Sequence, residues 1–159
     1  MKTDCQCEKC KKCCWNSPGW FGSIEEVEGA AKIMGMPLKD FAQEYLIREW
    51  WESEDDISIP APRKNFDKYT GLQKLSELFT IQMEMSRNGK GFVKASWGHN
   101  LMSGWACIFL DDNEMCLIHE SKPLECKKAF GCEKQSTRIV REKLPDYWKK
   151  HQDWIEKLV

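Results

Sequence analysis

Residues 5–14 read CQCEKCKKCC, and their chemistry decides how the rest of the chain is read. Five thiols fall within ten positions, and no further cysteine follows until Cys107. Within the run, Cys7, Cys10, Cys13 and Cys14 spell C-x2-C-x2-C-C. A two-residue spacer lets a tight turn aim successive sulfurs at one centre while its backbone N–H groups bond to them. The same step recurs in iron–sulfur proteins and in the knuckles of zinc sites. Two such steps in register are a far stronger signal than one. Adjacent Cys13 and Cys14 diverge as side chains, so one of them serves another centre or simply packs. Cys5 lies outside the register and reads as a spare thiol.

The remainder of the composition narrows the explanation. The chain has 159 residues, 42% hydrophobic and 31% charged, which suits one globular domain over residues 1–159. With 24 basic and 25 acidic residues the net charge is −1, so no electrostatic drive toward nucleic acid is expected. No apolar run approaches the roughly 18 residues that span a bilayer, and the polar N-terminus lacks the apolar region of a secretory leader. The expectation is a cytoplasmic protein without a membrane or nucleic-acid partner, where thiols stay reduced. An odd total of nine cysteines also argues against a disulfide framework. Metal ligation and redox chemistry remain.

A second group of thiols answers the first: Cys107, Cys116, Cys126 and Cys132. The eight allow two four-thiolate sites, or one site whose ligands come from both ends of the chain. Sharing is the favoured arrangement, since a comb of three cysteines with a remote fourth ligand fastens the termini together. Four thiolates around a divalent ion leave about two negative charges. Lys9, Lys11, Lys12, Lys127 and Lys128 stand close in sequence to the ligands, where cations favour the thiolate form. His119 follows Cys116 by three positions and reads as a surface residue or a hydrogen-bond donor to a ligand rather than a ligand itself.

The predicted fold is α+β, mainly helical, a small metal-stapled domain. Ser23 and Glu26 form a capping box for a helix that runs to about Met34 and stops at Gly35. Pro37 begins a second helix whose stripe is Leu38, Phe41, Ala42, Tyr45 and Leu46, which makes a helical hairpin. Residues 52–56 are an acidic connection, and Pro60 and Pro62 keep the chain extended. A third stripe spans 71–86, with a short strand at 92–97. Trp105 to Leu110, a polar turn at 111–114 and Met115 to Ile118 predict a β-hairpin carrying Cys107 and Cys116. Leu144, Tyr147, Trp148, His151, Trp154, Ile155 and Leu158 share one face of a C-terminal helix. The eight tryptophans read first as core filling, with one of Trp50 and Trp51 left for a partner contact.

CEKCKKCC at 7–14 with CIFLDDNEMCLIHESKPLEC at 107–126 resembles the YkgJ-like cysteine-cluster family of zinc- or iron-chelating proteins. The pieces that carry the likeness are C-x2-C-x2-C-C, Cys107-Ile108-Phe109-Leu110, Cys116-Leu117-Ile118-His119 and Lys122-Pro123-Leu124-Glu125-Cys126. The likeness covers roughly residues 7–51 and 100–132. Lys122 stands where arginine is usual, His119 where tyrosine is common, and residues 53–99 have no counterpart. The resemblance implies a metal or iron–sulfur centre, and related clusters occur in flagellin lysine methylases. The comb of Cys7, Cys10 and Cys13 with a remote fourth thiol suits a [4Fe–4S] cluster, with Zn2+ as the alternative.

Two functions follow: a metal-binding protein for electron transfer or metal and cluster handling with a protein redox partner, or an accessory subunit of a protein-modifying enzyme such as a methylase. No G-x-G-x-x-G, P-loop or H-E-x-x-H motif is present, nor the C-x3-C-x2-C of radical SAM chemistry. No stand-alone catalytic motif is found, so a stand-alone catalyst is the less favoured reading while the enzyme question stays open.

Overall fold

The computed structural model describes residues 19–50, 57–69, 91–92, 105–113, 115–124, 126 and 137–159. Cys5, Cys7, Cys10, Cys13, Cys14 and Cys132 lie outside them, as do the helix expected at 71–86, the acidic connection at 52–56 and all but Phe92 of the strand expected at 92–97. Among the described residues the fold mixes four α-helices with two sheets of two strands each.

Helix α1 (Ile24–Ile33) starts where its capping signal predicts, with Ser23 Oγ accepting the Glu26 N–H at 3.2 Å. It ends in a Schellman turn. Met36 N–H bonds the Ala31 carbonyl at 3.0 Å and Gly35 N–H the Lys32 carbonyl at 3.1 Å, with Gly35 at φ 67°. Helix α2 (Leu38–Tyr45) follows and buries Phe41 and Ala42. These two helices are the expected hairpin.

Helix α2 stops sooner than its stripe predicts. Leu46 is extended and opens strand β1 (Leu46–Trp50), which pairs antiparallel with β2 (Ser58–Pro62) from Leu46↔Pro62 to Trp50↔Ser58. A buried partner strand outcompetes helix continuation here, and Ile47 suits a pleated surface. The prolines fit because alternate residues of an antiparallel strand face away from the partner. On that outward edge, Pro60 O accepts the Phe21 N–H at 3.0 Å. The Gln152 side chain bonds both Ser58 N–H and Ser58 C=O, at 3.1 and 2.9 Å.

Strand β3 (Lys64–Tyr69) pairs antiparallel with β4 (Trp105–Cys107), with Lys64↔Cys107 and Asn65↔Ala106 in register and an irregularity before Tyr69. The expected β-hairpin over 105–118 is therefore corrected. Residues 105–107 take β3 as partner, and the two arms meet only at the bridge Leu110↔Cys116.

The C-terminal face is apolar as expected, with Leu144, Trp148, Ile155 and Leu158 buried, but it is carried by two helices, α3 (Thr137–Lys149) and α4 (Gln152–Glu156). At the break the ladder tightens to three-residue bonds, Lys150 N–H to Tyr147 O at 3.2 Å and His151 N–H to Trp148 O at 3.0 Å, and Gln152 Nε2 and His151 Nδ1 reach the same two carbonyls at 2.7 Å. Trp148 is fully buried, and its indole N–H donates to Phe21 O at 2.7 Å. Trp20 is buried as well, with its N–H on the Glu49 carboxylate. Both serve the core.

Candidate metal centre

The segment 107–126 carries the three described cysteines, each half-buried. It is folded by short-range bonds. Leu110 N–H returns to Cys107 O at 3.0 Å, closing a turn directly after β4. Asp111 N–H to Met115 O at 2.9 Å and Leu117 N–H to Phe109 O at 2.8 Å flank the Leu110↔Cys116 bridge. That pattern marks a narrow, non-hydrogen-bonded pair, with Cα atoms about 4.5 Å apart. Asp111 Oδ1 fixes the intervening loop by accepting from Asn113 N–H at 2.9 Å and Met115 N–H at 2.8 Å. Bonds from His119 N–H to Cys116 O and from Ser121 N–H to Ile118 O then wind the chain into a 3-10 turn at His119–Ser121. Phe109 and Ile118 anchor the segment in the core, and Phe109 rings with Phe41 and Tyr45 of α2 at centroid distances of 5.7 and 5.5 Å.

The segment is latched onto α1. Glu26 Oε1 accepts the Leu124 N–H at 2.7 Å and the Gly22 N–H at 3.0 Å, and the Glu26 carbonyl accepts Ser121 Oγ at 2.9 Å. A capping box would return the Glu26 carboxylate to Ser23 N–H. Here it reaches Gly22 and, in addition, a segment almost a hundred positions away. Two glycines permit the approach. A Cβ on Gly22 would fall 2.5 Å from Leu124 Cβ, and one on Gly29 would fall 2.3 Å from Ser121 Oγ.

Buried charge gathers at the other end of the segment. Arg63, between β2 and β3, is 8% exposed and gives its guanidinium to the carbonyls of Leu46 at 3.0 Å, Gln43 at 3.3 Å and Gly91. Burial lowers its pKa from the ordinary arginine value. Lys64 is 3% exposed, and burial pushes its ammonium down to about 8, against the opposing pull of Cys107 and Glu49. Glu49 on β1 is 1% exposed. Lys122, at the position where the family resemblance expects arginine, is buried too. His119 is exposed, and burial of part of its ring followed by the Lys122 charge lowers its pKa, with Glu120 opposing. That matches a surface residue.

Of the eight expected ligands, the fold thus sets Cys107, Cys116 and Cys126 on one anchored segment, while Cys7, Cys10, Cys13, Cys14 and Cys132 lie outside the described residues. Among the described residues no three Cys, His, Asp or Glu side chains group as a metal ion requires. Three half-buried thiols with a buried ammonium opposite one of them fit a thiolate centre chemically, as part of a donor set. Lys64, Glu49 and Glu26 were missed as site residues. A lysine following Arg63 reads as solvated, and no local signal gives Glu26 a second task beyond its cap. The Arg63-Lys64 pair next to an apolar strand was the available hint. No helix among the described residues is long and apolar enough to cross a membrane. Comparison with protein-family models, curated proteins and solved structures yields no match to this chain.

Proposed function

We propose that this chain is a metal-binding protein of the YkgJ-like kind that holds a metal centre through cysteine thiolates drawn from both ends of its sequence. The observation that carries the reading is the Glu26 latch. Gly22, which hangs on the same carboxylate oxygen as Leu124, is eight residues beyond Cys14, and Leu124 is two residues before Cys126. Eight residues span at most about 28 Å, so chain length permits the end of the comb to reach the downstream thiols, which supports a shared centre. A [4Fe–4S] cluster is the favoured occupant on the spacing of Cys7, Cys10 and Cys13, with electron transfer or cluster handling in the cytoplasm as its use. Zinc would make the same ligands a structural staple.

Anaerobic purification with iron, sulfide and zinc analysis tests this directly. Iron and sulfide in equal amounts with a coloured protein supports the cluster, and a colourless protein with stoichiometric zinc replaces it by the staple. A chain that holds neither metal overturns the proposal. Cys10→Ser and Cys126→Ser should each remove the same metal, and if each removes a separate, independent portion, the shared centre is wrong.

A further inference from the structure

We propose that Lys64 is a built-in counter-charge of this centre, a positioning residue whose ammonium stabilises the negative charge that ligation places on Cys107. The inference rests on the metal-binding reading above, and its own support is geometric. Lys64 and Cys107 are directly opposed in the β3–β4 ladder. The bond from Ile108 N–H to Arg63 O at 2.9 Å flanks them, which makes theirs the narrow type of antiparallel pair, with Cα atoms about 4.5 Å apart and side chains on one face. Lys64 is 3% exposed, so its charge is not spent on solvent, whereas Cys107 is half-buried at the edge of the core. Glu49, 1% exposed and held by the Trp20 indole N–H, steadies the ammonium.

A lysine is an unfavourable residue to bury unless its charge is answered, and Glu49 answers it on one side. Cys107, directly across the ladder, gives the same cation a second task at a thiolate centre. Four thiolates around a divalent ion carry about two net negative charges, and a buried cation at the cross-strand position facing Cys107 offsets part of that charge.

The experiment compares metal retention in the full chain, purified anaerobically, for wild type, Lys64→Met, Lys64→Gln, Lys64→Arg and the exposed-lysine control Lys39→Met, under challenge with a chelator. Both neutral variants should hold metal about tenfold less tightly or worse, Lys64→Arg should recover most of the loss, and Lys39→Met should match wild type. If the centre is a redox cluster, loss of the charge should also lower its potential, by about 59 mV for each tenfold change in the relative hold on the two oxidation states. Melting of the metal-free proteins separates this from misfolding, and the glutamine variant stands in if the methionine variant does not fold. A loaded wild type with neutral variants that retain metal equally well overturns the role of Lys64 alone, as does an arginine variant as deficient as methionine. A wild type that takes up no metal overturns the underlying reading and this inference with it.

Discussion

Replacing Glu26 by alanine removes the acceptor that joins the comb side of the chain to the Cys126 side. The carboxylate oxygen takes two backbone N–H groups, Leu124 at 2.7 Å and Gly22 at 3.0 Å. Hydrogen bonds to a charged partner contribute about 1.5–3 kcal/mol each, and the half-buried setting of Glu26 favours the lower figure. The carboxylate also sits in the first turn of α1, where its charge adds up to about 1 kcal/mol. The expected loss is about 3 kcal/mol, a large share of the roughly 5–15 kcal/mol that a domain possesses. Glu26→Gln keeps an acceptor without the charge and should lose about half as much. Urea unfolding of the reduced, chelator-treated protein measures the loss. Alkylation of Cys126 under native conditions reads the latch itself, because 3 kcal/mol raises local opening by about a hundredfold. Should Glu26→Ala unfold within about 0.5 kcal/mol of wild type and Cys126 react no faster, the latch is not an energetic element of the fold.

Three further outcomes are expected. Gly29→Ala puts a Cβ 2.3 Å from Ser121 Oγ. It should lower stability by about 1–3 kcal/mol in urea unfolding despite the better helix former, and Ser121→Ala in the same chain should recover part of that. Burial, and after it the Glu44 carboxylate, raises the Tyr45 pKa above 10.0, so the folded state keeps its phenolic proton to higher pH than the unfolded chain. The contribution of that hydroxyl is whole below pH 10 and is lost as pH rises through the folded value. Unfolding followed across that range should show wild type losing stability relative to Tyr45→Phe. Chelator treatment should lower the thermal midpoint of the metal-loaded chain by about 10 °C or more, since structural thiolate sites hold their ions with on the order of 10 kcal/mol. Cys10→Ser, already without its metal, should show no such drop.

The parts of the fold legible in the sequence were those whose cause is local. Ser23, Glu26 and Gly35 bound α1 because a cap, an acidic first turn and a left-handed residue act within a few positions. Leu46 was not legible. It continues the three-four stripe of α2, and what turns it into a strand is Pro62, sixteen positions away. Of the strands expected at 105–110 and 115–118, only Trp105–Cys107 forms one, and its pairing with β3 was not legible because nothing near Cys107 announces Lys64. Burial of Arg63 and Lys64 depends on the carbonyls of Leu46, Gln43 and Gly91 and on Glu49 arriving from three different elements. The cysteine spacing pointed to chemistry, whereas the contacts that position Cys107, Cys116 and Cys126 lie in tertiary structure.

Glu26 and Lys64 serve the proposed centre through different physical terms, and this has a measurable consequence. Closing a loop of about ninety residues, the separation of Cys14 from Cys107, costs on the order of 4 kcal/mol in chain entropy. With the latch formed, folding has already met a comparable cost between Glu26 and Leu124, and binding at the proposed centre has a shorter span left to close. Glu26→Ala should therefore weaken metal retention by releasing one end of the donor set, and excess metal should draw the latched state back. Lys64→Met leaves the latch in place and removes charge beside one sulfur. Glu26 bonds Gly22 and Leu124, whereas Lys64 stands against Cys107 and Glu49. Because the two act on different bonds, the losses in metal affinity should add in the double variant to within about 0.5 kcal/mol. A loss no larger than that of Glu26→Ala alone would mean that Lys64 acts only through the closed geometry, and charge would drop out of the mechanism.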